Sequence, residues 1–157
     1  MLTESARRHL PYTPRQLFDV VADIEKYPEF LPWFAAVRVL HRRDNFLEVE
    51  QVMRFRMFRA RFVTTARLER PRQIDIASTA WPFRSFKQSW VFSPAHDGGT
   101  EVELTMAASL RSRVAEALAA YFLGQAVVPA AVVACFERRA HQLYRDAAAA
   151  ARAGQAR

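Results

Sequence analysis

From Ser112 to Ala151 the chain is rich in alanine and carries a single glycine, Gly124, and a single proline, Pro129. Val114, Leu118, Tyr121, Phe122, Val128, Val132, Phe136, Leu143 and Tyr144 recur at steps of three and four, which places them on one face of a long helix. Arg113, Glu116, Glu137, Arg138 and Arg145 fall mostly off that stripe. Proline removes a backbone donor and clashes with the preceding turn, so a kink is expected at Gly124–Pro129. Almost everything before residue 110 reads as short strands. The fold class that follows is α+β, a curved antiparallel sheet closed by one amphipathic helix. A kinked helix in a bent sheet need not fill the space beneath it, and that space is the first pointer to function. The plainer alternative is that the stripe is ordinary core.

Residues 2–12 predict a first strand. Thr13, Pro14 and Gln16 then have the spacing of a capping box with proline at the first helical position. Leu17, Val20, Val21 and Ile24 mark the buried side of a short helix. Pro28 and Pro32 bracket Glu29-Phe30-Leu31, so Tyr27–Trp33 is a broken turn or a second short helix. A strand is predicted over Phe34–Arg42, with Asp44-Asn45 as the turn. In the next, Val49, Gln51, Met53, Phe55 and Met57 alternate with largely charged positions. In the one after, Ala60, Phe62, Thr64, Ala66 and Leu68 do so. Ile74–Ala80, Phe86–Ser93 and the stretch holding Val102, Leu104 and Met106 complete seven strands, with Asp97-Gly98-Gly99 as a turn.

The 157 residues are enough for one domain with a substantial core. No run of eighteen apolar residues occurs, and the first residues lack an apolar leader, so neither a membrane span nor secretion is expected. Cys135 is the one cysteine and reads as an inert core thiol in a reducing compartment. The net charge of +7 comes almost wholly from arginine and favours anionic surfaces, either lipid headgroups or nucleic acid. His9, His41, His96 and His141 are scattered without metal-ligand spacing, and neither a phosphate loop nor a Gly-x-Ser-x-Gly elbow is present. Asp19, Asp23, Glu25 and Glu29 read as a solvated face.

Two features carry functional information. Tyr27-Pro28-Glu29-Phe30-Leu31-Pro32-Trp33 brings large apolar groups to a chain reversal, as a gate over an opening or a plug for the core. The hairpin from Arg54 to Arg61 interleaves Arg54, Arg56, Arg59 and Arg61 with Phe55, Met57, Phe58 and Phe62. Such a surface suits lipid headgroups or a phosphate backbone, and equally a solvated basic face.

Tyr12-Thr13-Pro14, Gln16-Leu17-Phe18, Val21-Ala22-Asp23 and the Tyr27–Trp33 cluster are followed in order by further short matches. These are Arg61-Phe62, Ile74-Asp75, Pro82-Phe83, Trp90 with Phe92, and Cys135-Phe136-Glu137. Together they resemble the coenzyme Q-binding branch of the START-like (SRPBCC) superfamily, which also includes the bacterial ribosome-association toxins called RatA. The resemblance spans nearly the whole chain. It implies a helix-grip fold: a seven-stranded curved antiparallel sheet wrapped on a long C-terminal helix, with two short helices after the first strand. The expected domain is 1–151, with 152–157 as a frayed tail. It also implies a tunnel for ubiquinone or another isoprenoid lipid, with no metal and no catalytic residue. Its aromatic entrance falls on Tyr27, Pro28, Phe30, Leu31, Pro32 and Trp33. Periodicity adds Leu17, Val21, Met53, Phe55, Phe62, Trp90, Met106, Phe122, Val128 and Val132 as tunnel wall.

The function so implied is a quinone carrier for respiratory electron transport, cytoplasmic in a bacterium and peripheral on its inner membrane. The arginine hairpin would meet anionic lipid, and no DNA contact is expected. The alternative is a toxin that binds ribosomal subunits through the same arginines. A cyclase- or dehydratase-like enzyme is the third reading, with Gln51, Gln88, Thr64 and Ser78 as its polar interior.

Overall fold

Alternation with period two becomes strand wherever it occurs. The computed structural model describes residues 2–55, 58–114, 116–117 and 128–155. The strands are β1 (Leu2–Leu10), β2 (Phe34–Arg43), β3 (Phe46–Phe55), β4 (Phe58–Glu69), β5 (Gln73–Ser78), β6 (Phe83–Pro94) and β7 (Thr100–Leu110). They form one antiparallel sheet in the order β1-β7-β6-β5-β4-β3-β2. The inner face buries Leu47, Val49, Gln51 and Met53 from β3, and Phe62, Thr64, Ala66 and Leu68 from β4. Ile74, Ile76 and Ser78 come from β5, Trp90 and Phe92 from β6, and Val102 and Leu104 from β7. At about 25 cal/mol per Å² of apolar surface removed from water, this layer is the main stabilising term. β6 begins three residues earlier than the sequence suggests, which brings Phe83 into the sheet.

Helix α1 (Pro14–Ala22) starts as its residues require. The Gln16 amide donates to Thr13 Oγ1 at 3.2 Å, and the Thr13 amide donates to Gln16 Oε1 at 3.0 Å. Ile24–Glu29 is a single 3-10 helix that contains Pro28. Its tighter turns need few α-type bonds, so the proline is accommodated.

Helix α2 (Pro129–Gln155) corrects two expectations. Pro129 is its first residue, where a missing amide costs nothing, and it does not kink a continuous helix. Helical backbone also follows β7, with the Glu116 amide on the Ser112 carbonyl at 3.0 Å. The expected stripe also narrows. Val132, Val133, Phe136 and Ala140 are buried and Tyr144 partly so, whereas Leu143 is 41% exposed and Val114 70% exposed. Val132, Phe136, Ala140 and Tyr144 follow one another in steps of four. Leu118, Tyr121, Phe122 and Gly124 lie outside the described residues.

Polar bonds hold α2 on the sheet and on α1. Arg8 on β1 pairs with Glu137 at 2.8 Å, Arg139 pairs with Glu29 at 2.8 Å, and Tyr144 Oη donates to the Gln16 carbonyl at 2.7 Å. The Tyr12 hydroxyl meets His141 Nδ1.

Candidate functional site

The space between the inner sheet face and the helices divides into two halves. In the first, aromatic rings interlock. Tyr27 and Phe30 set their rings edge-on to Phe136 at 5.2 and 5.1 Å, Trp90 approaches Phe136 at 4.9 Å, and Phe18 meets Phe92 at 5.9 Å. Edge-to-face contacts of this kind add to burial. The Tyr27 hydroxyl donates to the Val21 carbonyl, which lies in the open last turn of α1. What remains is a cavity of about 10 Å³ lined by Leu10, Leu17, Val20, Val21, Trp90 and Phe92, among others, room for one water at most.

The second half lies toward the end of the sheet where β3 turns into β4 and β7 ends. Its wall is apolar: Met53, Phe62, Phe83, Phe86 and Met106. Phe62 contacts Phe83 at 5.2 Å and Phe83 contacts Phe86 at 5.1 Å. Phe83, Phe86 and Met106 keep partial exposure although they pack against the core. Gln51, at 6% exposure, and Thr64, at 1%, lie on the same inner face.

The residues predicted for the site therefore separate. Leu17, Val21, Tyr27 and Trp90 belong to the packed half. Leu31 and Trp33 are also buried, at 2% and 7% exposure. Pro28 and Pro32 face solvent and Phe30 is half-buried. In this structure Tyr27–Trp33 plugs the core through alternate residues. Met53 and Phe62 are buried on β3 and β4 and Met106 is partly buried on β7, all toward the other end of the inner face. Val132 is buried on α2 and Val128 is half-buried just before it. Arg56 and Phe122 lie outside the described residues, as does the Phe55 side chain. Phe83 was hidden from sequence reasoning by the Trp81-Pro82 pair, which reads as a strand stop. The signal that finds it is its spacing from Phe86 across a bulge between Phe83 and Ser85.

Arg54, Arg59 and Arg61 are exposed on the opposite, outer face. Arg54 and Arg59 are direct cross-strand partners. None of the three forms an ion pair with a carboxylate among the described residues. Two like charges placed opposite one another destabilise a hairpin unless an anion sits between them. The acidic cluster near α1 behaves differently, because Asp19 pairs with Arg70 at 3.2 Å and Glu25 with Arg42 at 2.8 Å. Asp23 lines an outward groove of about 290 Å³ between α1, the 3-10 helix and α2, together with Asp19, Lys26, Phe30, Arg139 and Leu143. Cys135 is buried, and Arg138 reaches its sulfur at 3.1 Å.

Among the described residues no three His, Cys, Asp or Glu side chains gather as a metal would require, and no helix is long and apolar enough to cross a membrane.

Comparison with known proteins agrees with this architecture. The ribosome association toxin RatA of Rickettsia prowazekii is 30% identical over 91% of this chain and 99% of its own length. The RatA of Pseudomonas aeruginosa is 30% identical over 86% and 92%. The mitochondrial coenzyme Q-binding protein COQ10 homolog B of Xenopus laevis is 24% identical over 89% of this chain and 58% of its own. The solution structure of the 18 kDa protein CC1736 from Caulobacter crescentus superposes with a TM-score of 0.71 at 32% identity, covering 92% of this chain and 99% of that one. The Zhui aromatase/cyclase from Streptomyces shares the fold alone, with a TM-score of 0.76 at 14% identity over 93% and 97%. A START superfamily protein from Mycobacterium smegmatis does so at 0.74 and 16%, over 90% and 98%. The family profile for polyketide cyclase / dehydrase and lipid transport matches residues 10–132. With sheet, plug and closing helix in place, this chain has the fold of START superfamily proteins and belongs to the polyketide cyclase / dehydrase and lipid transport family.

Proposed function

We propose that the chain is a non-catalytic lipid-binding protein that shelters a prenyl-tailed quinone, ubiquinone or a close relative, against the accessible half of its inner sheet face. The observation that carries this reading is an apolar wall in which Phe83, Phe86 and Met106 keep partial exposure beside the buried Met53 and Phe62, next to a tightly packed half. An isoprenoid tail gains about 0.8 kcal/mol for each methylene-sized unit it buries, so such a wall needs few polar contacts to hold it. The family's lipid-transport members and the coenzyme Q-binding relative support the same ligand class. Arg54, Arg59 and Arg61 face outward and have no carboxylate partner among the described residues, which supports docking on anionic lipid from a cytoplasmic, peripheral position.

The test is extraction of the protein, purified from a quinone-producing host, into organic solvent, followed by mass spectrometry. Ubiquinone near one equivalent is the expected result. A clean extract, together with no uptake of added quinone, overturns the reading.

The opposed Arg54 and Arg59 favour a second reading, a ribosome-binding toxin of the RatA kind in which these arginines meet ribosomal RNA phosphates. That reading expects sedimentation with ribosomal subunits that weakens steeply with salt and is lost when Arg54, Arg59 and Arg61 are replaced by glutamine. Unchanged sedimentation of the triple variant removes it.

A further inference from the structure

Sheets bury few polar side chains, and those they bury are satisfied. Ser78 obeys the rule: its hydroxyl donates to the Val63 carbonyl at 2.6 Å and accepts from the Ala80 amide at 3.1 Å. Thr64, on the adjacent strand and the same face, does not. It is 1% exposed and its hydroxyl has no hydrogen-bond partner among the described residues. Such an orphan is destabilising, and valine would fill the same volume without that cost. Gln51 is 6% exposed on the neighbouring strand. The register sets Gln51 opposite Phe62 and Thr64 opposite Val49, so the two polar side chains are diagonal neighbours. That diagonal spans about 7–8 Å, within reach of a long amide and a hydroxyl that converge on one atom. Their immediate neighbours on this face, Val49, Met53 and Phe62, are apolar.

We infer that Gln51 and Thr64 form a hydrogen-bonding site for a carbonyl oxygen at the polar end of the bound ligand. The threonine hydroxyl and the glutamine amide each offer a donor, and a carbonyl oxygen has two lone pairs to receive them. The apolar wall at Met53, Phe62 and Phe86 then takes the adjoining tail. A ring carbonyl of a quinone matches this chemistry, whereas a pure hydrocarbon leaves both donors empty. This assignment rests on the lipid-carrier reading and adds which end of the ligand lies where.

The experiment measures binding of two probes by calorimetry: a ubiquinone with a short prenyl tail, and a prenyl hydrocarbon of equal length without the ring. Wild type is compared with Thr64→Val and Gln51→Leu. The expected result is a five- to tenfold loss of quinone affinity in each variant, with hydrocarbon affinity held within twofold. Thr64→Val should also unfold at the same temperature as wild type or higher when no ligand is bound, an outcome that a merely structural threonine does not give. Variants that bind quinone as wild type does, or that lose both probes equally, overturn the site while the carrier reading stands. Failure of wild type to bind either probe overturns both.

Discussion

Tyr27 shows how one residue closes the packed half of the molecule. Its ring touches Phe30, Phe34 and Phe136, and its hydroxyl is the donor for the Val21 carbonyl. Burial pushes the phenol well above its ordinary range, and the nearby Asp23 carboxylate adds to the effect. An unfolded tyrosine titrates near pH 10. Above that value the unfolded chain gives up a proton that the folded one keeps. The stability associated with Tyr27 is therefore whole below about pH 10 and falls as pH rises, by up to about 1.4 kcal/mol per unit. Tyr27→Phe has no proton to lose. At pH 7 it should be less stable by about 1–2 kcal/mol, because the Val21 carbonyl loses its donor. Urea unfolding across pH 9–11 should show that deficit shrinking. A deficit constant with pH would mean that the phenol is not the buried, neutral group assigned to it.

At the scale of elements, much of the fold is legible in the sequence, and the reasons differ from one element to the next. β3 and β4 are legible because half-buried strands alternate strictly, so Val49, Gln51 and Met53 and their partners Phe62 and Thr64 declare the inner face unaided. The start of α1 is legible because Thr13 and Gln16 cap it reciprocally through local bonds. The start of α2 is not. A proline after an apolar run has the same local pattern whether it kinks a helix or begins one, and only the chain's path decides. These alternatives differ in energy. Proline inside a helix costs about 3 kcal/mol, and at the first position nothing. Pro129→Ala should therefore change stability by less than about 1 kcal/mol in thermal unfolding, whereas a gain near 3 would place the proline in a helix interior. The β6–β7 turn offers a contrast. A Cβ on Gly99 would lie 2.5 Å from the Leu10 carbonyl oxygen, a backbone atom that cannot swing aside. Gly99→Ala should separate β7 from the end of β1 and lower the melting temperature by several degrees. The polar pair Gln51 and Thr64 is visible in sequence only as two residue types. Their adjacency comes from register, which a turn of unknown length leaves undetermined.

At the scale of the whole molecule, several arginines and two exposed apolar side chains share one end of the sheet. Arg54, Arg59, Arg61, Arg84, Arg111 and Arg113 gather where β3 meets β4, β5 meets β6 and β7 ends. At the tip of the β5–β6 connection Trp81 is 70% exposed, while Trp33 and Trp90 are buried. The loop is held rather than loose. Arg111 donates from Nε to the Phe83 carbonyl at 3.0 Å and from Nη2 to the Thr79 carbonyl at 2.7 Å, and its amide donates to the Pro82 carbonyl at 3.1 Å. Val114, also 70% exposed, follows three residues later. An exposed indole at an arginine-bearing end of the sheet suits the boundary between headgroup and acyl chain, where the ring is wet on one side only. Trp81 fluorescence should shift to the blue on adding vesicles rich in phosphatidylglycerol, and not on adding phosphatidylcholine alone. Each cation near an anionic surface contributes about 1 kcal/mol, so Arg59→Gln with Arg61→Gln should weaken vesicle partitioning about 30-fold, and high salt should do the same. Trp81→Ala should fold normally, because the ring is mostly in solvent, and still lose most of its partitioning. Partitioning unchanged in both variants would remove the bilayer from this end, and ribosome sedimentation that depends on Trp81 would hand the same surface to RNA.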